Sequence, residues 1–141
     1  MNNRIYFSRL STTSFFCGHE LKIGDPLFRI NENEVGPINK APFNTAFVGV
    51  SERRMIKIDL ATSMLPSNAL CLGSKISILQ SGVIIKRFKK SLKIPYGQYI
   101  YVDQNNELTW RYSPWLVGTT YSDQDEDGFI KIEIHDPRKT I

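Results

Sequence analysis

Apolar positions in this chain recur with the period of a β-strand, or in short continuous runs, and Gly, Pro, Asn and Asp break them apart. Leu27–Ile30, Ala46–Val50, Met55–Leu60, Lys75–Leu79, Val83–Phe88, Gln98–Val102 and Phe129–Ile134 read as strands. The last alternates cleanly. Phe129, Lys131 and Glu133 share one face, while Ile130, Ile132 and Ile134 share the other, which is the pattern of a half-buried strand. Gln80-Ser81-Gly82 separates two apolar runs and reads as a hairpin turn, with Gly82 supplying a positive φ. Helical periodicity is weak. Its best stretch, Ile58 to Leu72, is interrupted at Pro66, so a single turn is expected there, with Ser63 to Ala69 as a linker.

The strand pattern occurs twice. Gly24 to Val35 aligns with Gly97 to Leu108 at a constant offset of 73 positions, and Leu27/Ile100, Phe28/Tyr101 and Val35/Leu108 are conservative pairs. Asn31 to Asn33 and Asn105 to Asn106 supply the turns, because Asn tolerates the left-handed backbone that tight turns use. Phe47-Val48-Gly49-Val50 then matches Leu116-Val117-Gly118-Thr119, and Ile56-Lys57-Ile58-Asp59 matches Ile130-Lys131-Ile132-Glu133. The expected architecture is all-β: a small barrel or sandwich of two similar hairpin-containing units, about 21–62 and 70–135. Together they form one domain over 21–141, behind an N-terminal arm at 1–20.

Length and composition agree with a folded β domain. The 141 residues are 41% hydrophobic and 23% charged, enough to bury a core without disulfides. The two cysteines, Cys17 and Cys71, form no Cys-x-x-Cys pair and are expected as free thiols. Neither a signal peptide nor a membrane-length apolar run is visible, so a soluble product of a cytoplasm is expected. A net charge of +4 is mild for a nucleic-acid-binding domain but suits an acidic partner.

Chemistry is sparse. Asp123-Gln124-Asp125-Glu126-Asp127-Gly128 mimics the start of a calcium loop, but its twelfth position is Ile134, where a bidentate carboxylate is required. The loop also leads into a strand, so an acidic hairpin loop is expected. Cys17-Gly18-His19-Glu20 resembles half a zinc site, but four ligands are needed, and only His135, Cys71 and scattered carboxylates remain. The chain has no Gly-x-Ser-x-Gly elbow and no phosphate-binding glycine loop, and it has only two histidines. No catalytic site, metal site or cofactor is therefore expected.

Binding surfaces are the better prospect. Lys86-Arg87-Phe88-Lys89-Lys90 is a basic run with one aromatic, followed by Tyr96, Tyr99 and Tyr101. Such a strand end suits an acidic protein surface, or the phosphates of a single strand on an oligonucleotide-binding barrel. Trp110 and Trp115 bracket Arg111 and Tyr112 in an aromatic loop that reads either as core filler or as a binding patch, and exposed Trp, Tyr and Arg of this kind anchor interfaces. Arg4, Tyr6 and Phe7 mark an arm suited to lie on a neighbouring subunit as an added strand.

Gly97-x-x-Ile100-Tyr101-Val102-Asp103, a turn, Leu108-Thr109, then Trp115-Leu116-Val117-Gly118-Thr119 and Gly128-Phe129-Ile130-Lys131-Ile132 resembles the pattern of small tailed-bacteriophage capsid decoration (cement) proteins. The resemblance covers about residues 70 to 134, with 22 to 60 as an earlier copy. The stretch from Met1 to Cys17 has no counterpart in it, Trp110 and Trp115 are bulkier than its pattern has around the Val-Gly strand, and the tail from Asp136 is an addition. It implies a structural virion protein on the capsid exterior that binds the major capsid protein, assembles as a homo-oligomer (a trimer is favoured), and clamps neighbouring shell subunits. Read from the residues themselves, the expected docking contacts are Arg4, Tyr6, Phe7, Lys86, Arg87, Lys89, Lys90, Trp110, Arg111, Tyr112 and Trp115, with no membrane partner and nucleic acid disfavoured. The competing expectations are an oligonucleotide-binding barrel and another virion role at the neck or fibre base.

Overall fold

A computed structural model describes residues 3–57 and 69–135. The strands are β1 (Arg4–Phe16), β2 (Pro26–Arg29), β3 (Val35–Gly36), β4 (Phe47–Ser51), β5 (Arg54–Ile56), β6 (Ala69–Cys71), β7 (Lys75–Arg87), β8 (Tyr99–Val102), β9 (Leu108–Thr109), β10 (Trp115–Thr120) and β11 (Phe129–Ile134). Short 3-10 turns at Ile38–Lys40 and Lys90–Leu92 are the helical elements among the described residues, and no helix there is long and apolar enough to cross a membrane. The class is all-β, as the alternation implies. The main sheet runs β3-β2-β4-β7-β11-β10-β8-β9, with β1 on the other edge of β7, and curls into a half-barrel. β5 and β6 form a separate parallel pair.

The two matched segments fold into the same three-stranded unit. Phe28 and Arg29 face Gly36 and Val35, and 73 positions on Tyr101 and Val102 face Thr109 and Leu108. Pro26, Leu27 and Phe28 pair with Val50, Gly49 and Phe47, stepping over Val48. Tyr99, Ile100 and Tyr101 pair with Thr119, Gly118 and Leu116, stepping over Val117. The bulge thus falls at the matched valine in both units. Turn bonds match too. The Gly24 and Gly97 amides donate to Ser51 O and Thr120 O at 2.7 and 3.0 Å. The Ser51 and Thr120 amides return to Asp25 O and Gln98 O at 2.9 and 2.8 Å. Each turn is closed by a side-chain oxygen that accepts from the amide two residues on, Asn31 from Asn33 and Asp103 from Asn105, both at 2.9 Å, and the second turn also holds Asn106 in the left-handed conformation (φ 63).

Apolar faces of both units meet in one central core. Phe28, Val50, Leu79, Ile84, Ile100, Val102, Val117, Ile130, Ile132 and Ile134 are buried there. A smaller cluster of Cys17, Leu21, Leu27, Val35, Val48, Met55, Ile76 and Ile78 lies on the other side of the first unit.

Three sequence expectations need correction. Gln80-Ser81-Gly82 is not a turn, because β7 runs through it as one 13-residue strand. Gly82 is needed there because the β1 backbone lies against it: a Cβ would meet Phe7 O and Ser8 Cα. The N-terminal stretch is not a free arm. β1 pairs antiparallel with β7 from Arg4–Ile85 to Phe16–Lys75, with bulges on the way. Finally, Ala69–Cys71 is a strand and not the end of a helix, and most of the helix and linker candidates lies outside the described residues.

The first unit carries a carboxylate where the second has an amide, Asp25 against Gln98. Burial pushes the Asp25 carboxyl above its ordinary 3.8, against the opposing pull of the Lys22 amide and the Lys86 charge. The folded chain therefore holds this proton more tightly than the unfolded chain. Asp25 lowers stability as pH rises from 3.8 through its raised folded value. Asp25→Asn keeps an acceptor for the Lys22 amide, which donates to Asp25 Oδ2 at 2.9 Å. Urea unfolding between about pH 4 and pH 7 is expected to show the variant gaining on wild type as pH rises. Parallel curves would remove Asp25 as the cause.

Candidate docking surface

The outer face of the half-barrel is set by alternation. Ile100 and Val102 of β8 and Ile130, Ile132 and Ile134 of β11 point into the core, so Tyr99, Tyr101, Lys131 and Glu133 point out, while Phe129 lies on their side of β11 but is buried. Register carries one row across the sheet: Tyr99 faces Thr119, Thr119 faces Glu133, Glu133 faces Val83 and Val83 faces Phe7. In the next row Lys131 faces Ile85, and Ile85 faces Arg4. Tyr121 joins this row through its amide, which donates to Lys131 O at 2.7 Å. Tyr112 packs edge-on against Tyr101 with ring centres 5.4 Å apart. Tyr6, Tyr99, Tyr112 and Tyr121 are all at least half exposed.

Towards β1 the face turns basic. Lys131 Nζ sits 4.2 Å from the Tyr6 ring centre, Arg9 Cζ is 5.5 Å from that of Phe7, and Arg87 Cζ is 5.6 Å from that of Phe129. Each contact orients a cation and a ring together, worth about 0.5–1 kcal/mol at an exposed site. They also occupy ring faces that an unstacked base would need. Arg9 reaches Glu133 at 4.0 Å, while Arg4 lines a shallow cleft with Ile85, Asp123, Asp127, Phe129 and Lys131.

The docking residues expected from sequence are distributed unevenly. Arg4, Tyr6 and Phe7 are exposed on β1 and share the outer face with Arg87. Lys86 does not join them, because consecutive strand residues point to opposite sides. It lies over Phe88 at 5.5 Å and acts on Asp25 from the inner side. Lys89 and Lys90 lie beyond the strand end, with Lys90 and Lys93 across a cleft from Asp123, Asp125 and Glu126. The basic run is therefore split and partly balanced by acid. Of the two readings of Trp110 and Trp115, core filler and interface anchor, the packing favours core filler. Both are half-buried against the central core, and Trp115 meets Phe28 edge-on at 5.9 Å. Of that loop, Arg111 and Tyr112 are exposed.

The acidic loop is a folded turn. Asp125 Oδ1 accepts from the Asp127 and Phe129 amides at 2.9 and 2.8 Å, and Asp123 Oδ1 accepts from the Tyr96 amide at 2.8 Å. Gln124 bridges it to the sheet, accepting from the Ile94 amide at 3.1 Å and donating to Phe88, Lys89 and Gly128 carbonyls. These carboxylates are turned to backbone amides and do not converge on a common point. Among the described residues no cluster of three His, Cys, Asp or Glu could hold a metal ion. Cys17 is a buried free thiol whose pKa is raised by burial, and Cys71 is free and half-buried.

Sequence reasoning missed Arg9 and Tyr121, and placed Tyr99 and Tyr101 beside the basic run instead of across the sheet from Arg4 and Phe7. Their alternation with Ile100 and Val102 was the available signal for an outward face. No protein-family model matches this chain, and no curated protein matches it either.

Proposed function

We propose that this chain is a non-catalytic docking protein of a tailed-phage virion, bound to the outside of the capsid through the basic, aromatic outer face around β1. The observation that carries the reading is the exposure of Tyr6, Phe7, Arg4 and Arg9 on a strand locked to its own sheet. A rigid platform of aromatic rings held beside cations loses little side-chain freedom on binding, which is what interface anchors require. The resemblance of Gly97 to Ile132 to the decoration-protein pattern supplies the identity of the partner. Shell stabilisation then follows from mass action, because a ligand that bridges closed subunits raises the cost of opening them.

The oligonucleotide-binding alternative is less well supported, since the ring faces of Tyr6, Phe7 and Phe129 carry cations and the basic run is split. The test mixes the chain with phage heads assembled without it and pellets them. Wild type is expected to sediment with heads, and the double variant Arg4→Glu, Tyr6→Ala to lose at least about tenfold in affinity. A chain that stays in the supernatant but binds single-stranded DNA with steep salt dependence would overturn the proposal.

A further inference from the structure

The duplication repeats one more feature, in the loop that enters β4 and β10. The offset of 69 positions that matches the bulged Val48 to Val117 also matches Phe43 to Tyr112. Both rings stand in solvent. Phe43 is fully exposed, and Tyr112 is 82% exposed although its edge meets Tyr101. Each loop is held on both sides of its ring. Before the ring, Ile38 and Trp110 pack into the central core. Beyond it, Thr45 Oγ1 and Ser113 Oγ donate to the Arg29 and Val102 carbonyls at 2.6 and 2.5 Å. Those carbonyls are themselves a matched pair, at the ends of β2 and β8. In the first loop the Ala41 and Thr45 amides also donate to Ile38 O and Pro42 O, both at 3.1 Å.

The first loop is four residues longer and shares little of its sequence with the second, yet ring and pin recur. The core accounts for Ile38 and Trp110 but not for the two rings, which it leaves in water. A ring held clear of its own fold on a pinned loop gives up no packing and little freedom when it enters an apolar pocket of a partner. Two such rings on the matched units of one chain suit a partner that offers the same pocket twice, because the second ring then binds at the effective concentration set by the first. A shell of identical subunits is a partner of that kind.

We propose that Phe43 and Tyr112 are paired anchors, entering equivalent apolar pockets on two neighbouring copies of one shell protein, so that each chain straddles a subunit joint. The identity of the partner rests on the shell reading, whereas the pairing of the anchors rests on the duplicated loops. Binding of the full chain to phage heads assembled without it tests the pairing. Phe43→Ala and Tyr112→Ala are each expected to weaken binding by at least about tenfold, and the double variant by at least about 100-fold. Both rings are exposed, so the urea midpoints are expected to stay unchanged. Saturation is expected at no more than about one chain per two shell subunits. Heads that bind wild type and both single variants alike, that respond to one ring only, or that saturate well above this ratio would overturn the pairing and leave the shell reading standing. A wild type that does not bind heads at all would overturn both.

Discussion

Phe28→Ala is expected to destabilise the chain by about 4 kcal/mol, whereas Tyr101→Ala, at the matched position of the second unit, is expected to cost under about 1 kcal/mol. Phe28 has no exposed surface and packs edge-on against both Phe47 and Trp115, at 5.7 and 5.9 Å. Its removal leaves a cavity between the two units that neither unit can close without moving β4 or β10. Tyr101 keeps one side in solvent and contacts Tyr112 at its ring edge, so truncation opens no cavity. Urea unfolding of the two variants measures the contrast directly. Equal losses would mean that the two faces are not differently buried.

Gly118→Ala is expected to cost about 3 kcal/mol or more, although its φ lies outside the left-handed region. A Cβ at Gly118 would run into the Glu133 backbone carbonyl and come within 3.2 Å of Ile134 Cα. Both are main-chain atoms of a paired strand, so relief requires β10 and β11 to separate where Gly118 faces Ile134. The matched Gly49 is in the same position against Leu79 O. Gly18→Ala serves as the control. Its Cβ would meet only the Glu34 carboxylate, at 3.7 Å, so a change under about 1 kcal/mol is expected. A stable Gly118→Ala chain would show that β10 and β11 have slack.

What the sequence revealed and what it hid follow from the range of the interactions. Alternation at Phe129–Ile134 is local, and the structure buries Ile130, Ile132 and Ile134 and leaves Lys131 and Glu133 partly exposed as the pattern implies, although Phe129 is buried as well. The offset between Gly24 and Gly97 could be read because both units need the same turn and the same bulge. Gly82 could not be placed, because a glycine in a turn and a glycine beneath a crossing backbone look alike in one dimension. What decides between them is Phe7, 75 positions away in the chain. Trp110 and Trp115 failed for a related reason: an aromatic loop is an anchor or a core plug depending on whether Phe28 lies beneath it. The basic run misled because five consecutive residues look like one patch in sequence, whereas a strand sends Lys86 and Arg87 to opposite sides. The outer face gathers Arg4, Tyr6, Tyr99 and Lys131 from three strands, and that grouping depends on register, which no local signal encodes.

Amide hydrogen exchange, resolved by residue, tests the duplicated scaffold most directly. The bonds from Ser51 to Asp25 and from Thr120 to Gln98, and those from Ile30 to Glu34 and from Asp103 to Glu107, are matched pairs. All four amides are expected to exchange slowly, with Ser51 and Thr120, both at most 2% exposed, among the slowest of the chain. If either member of the Ser51 and Thr120 pair exchanged at an open-chain rate while the other stayed protected, the two units would not share a frame, and the duplicated scaffold would be contradicted.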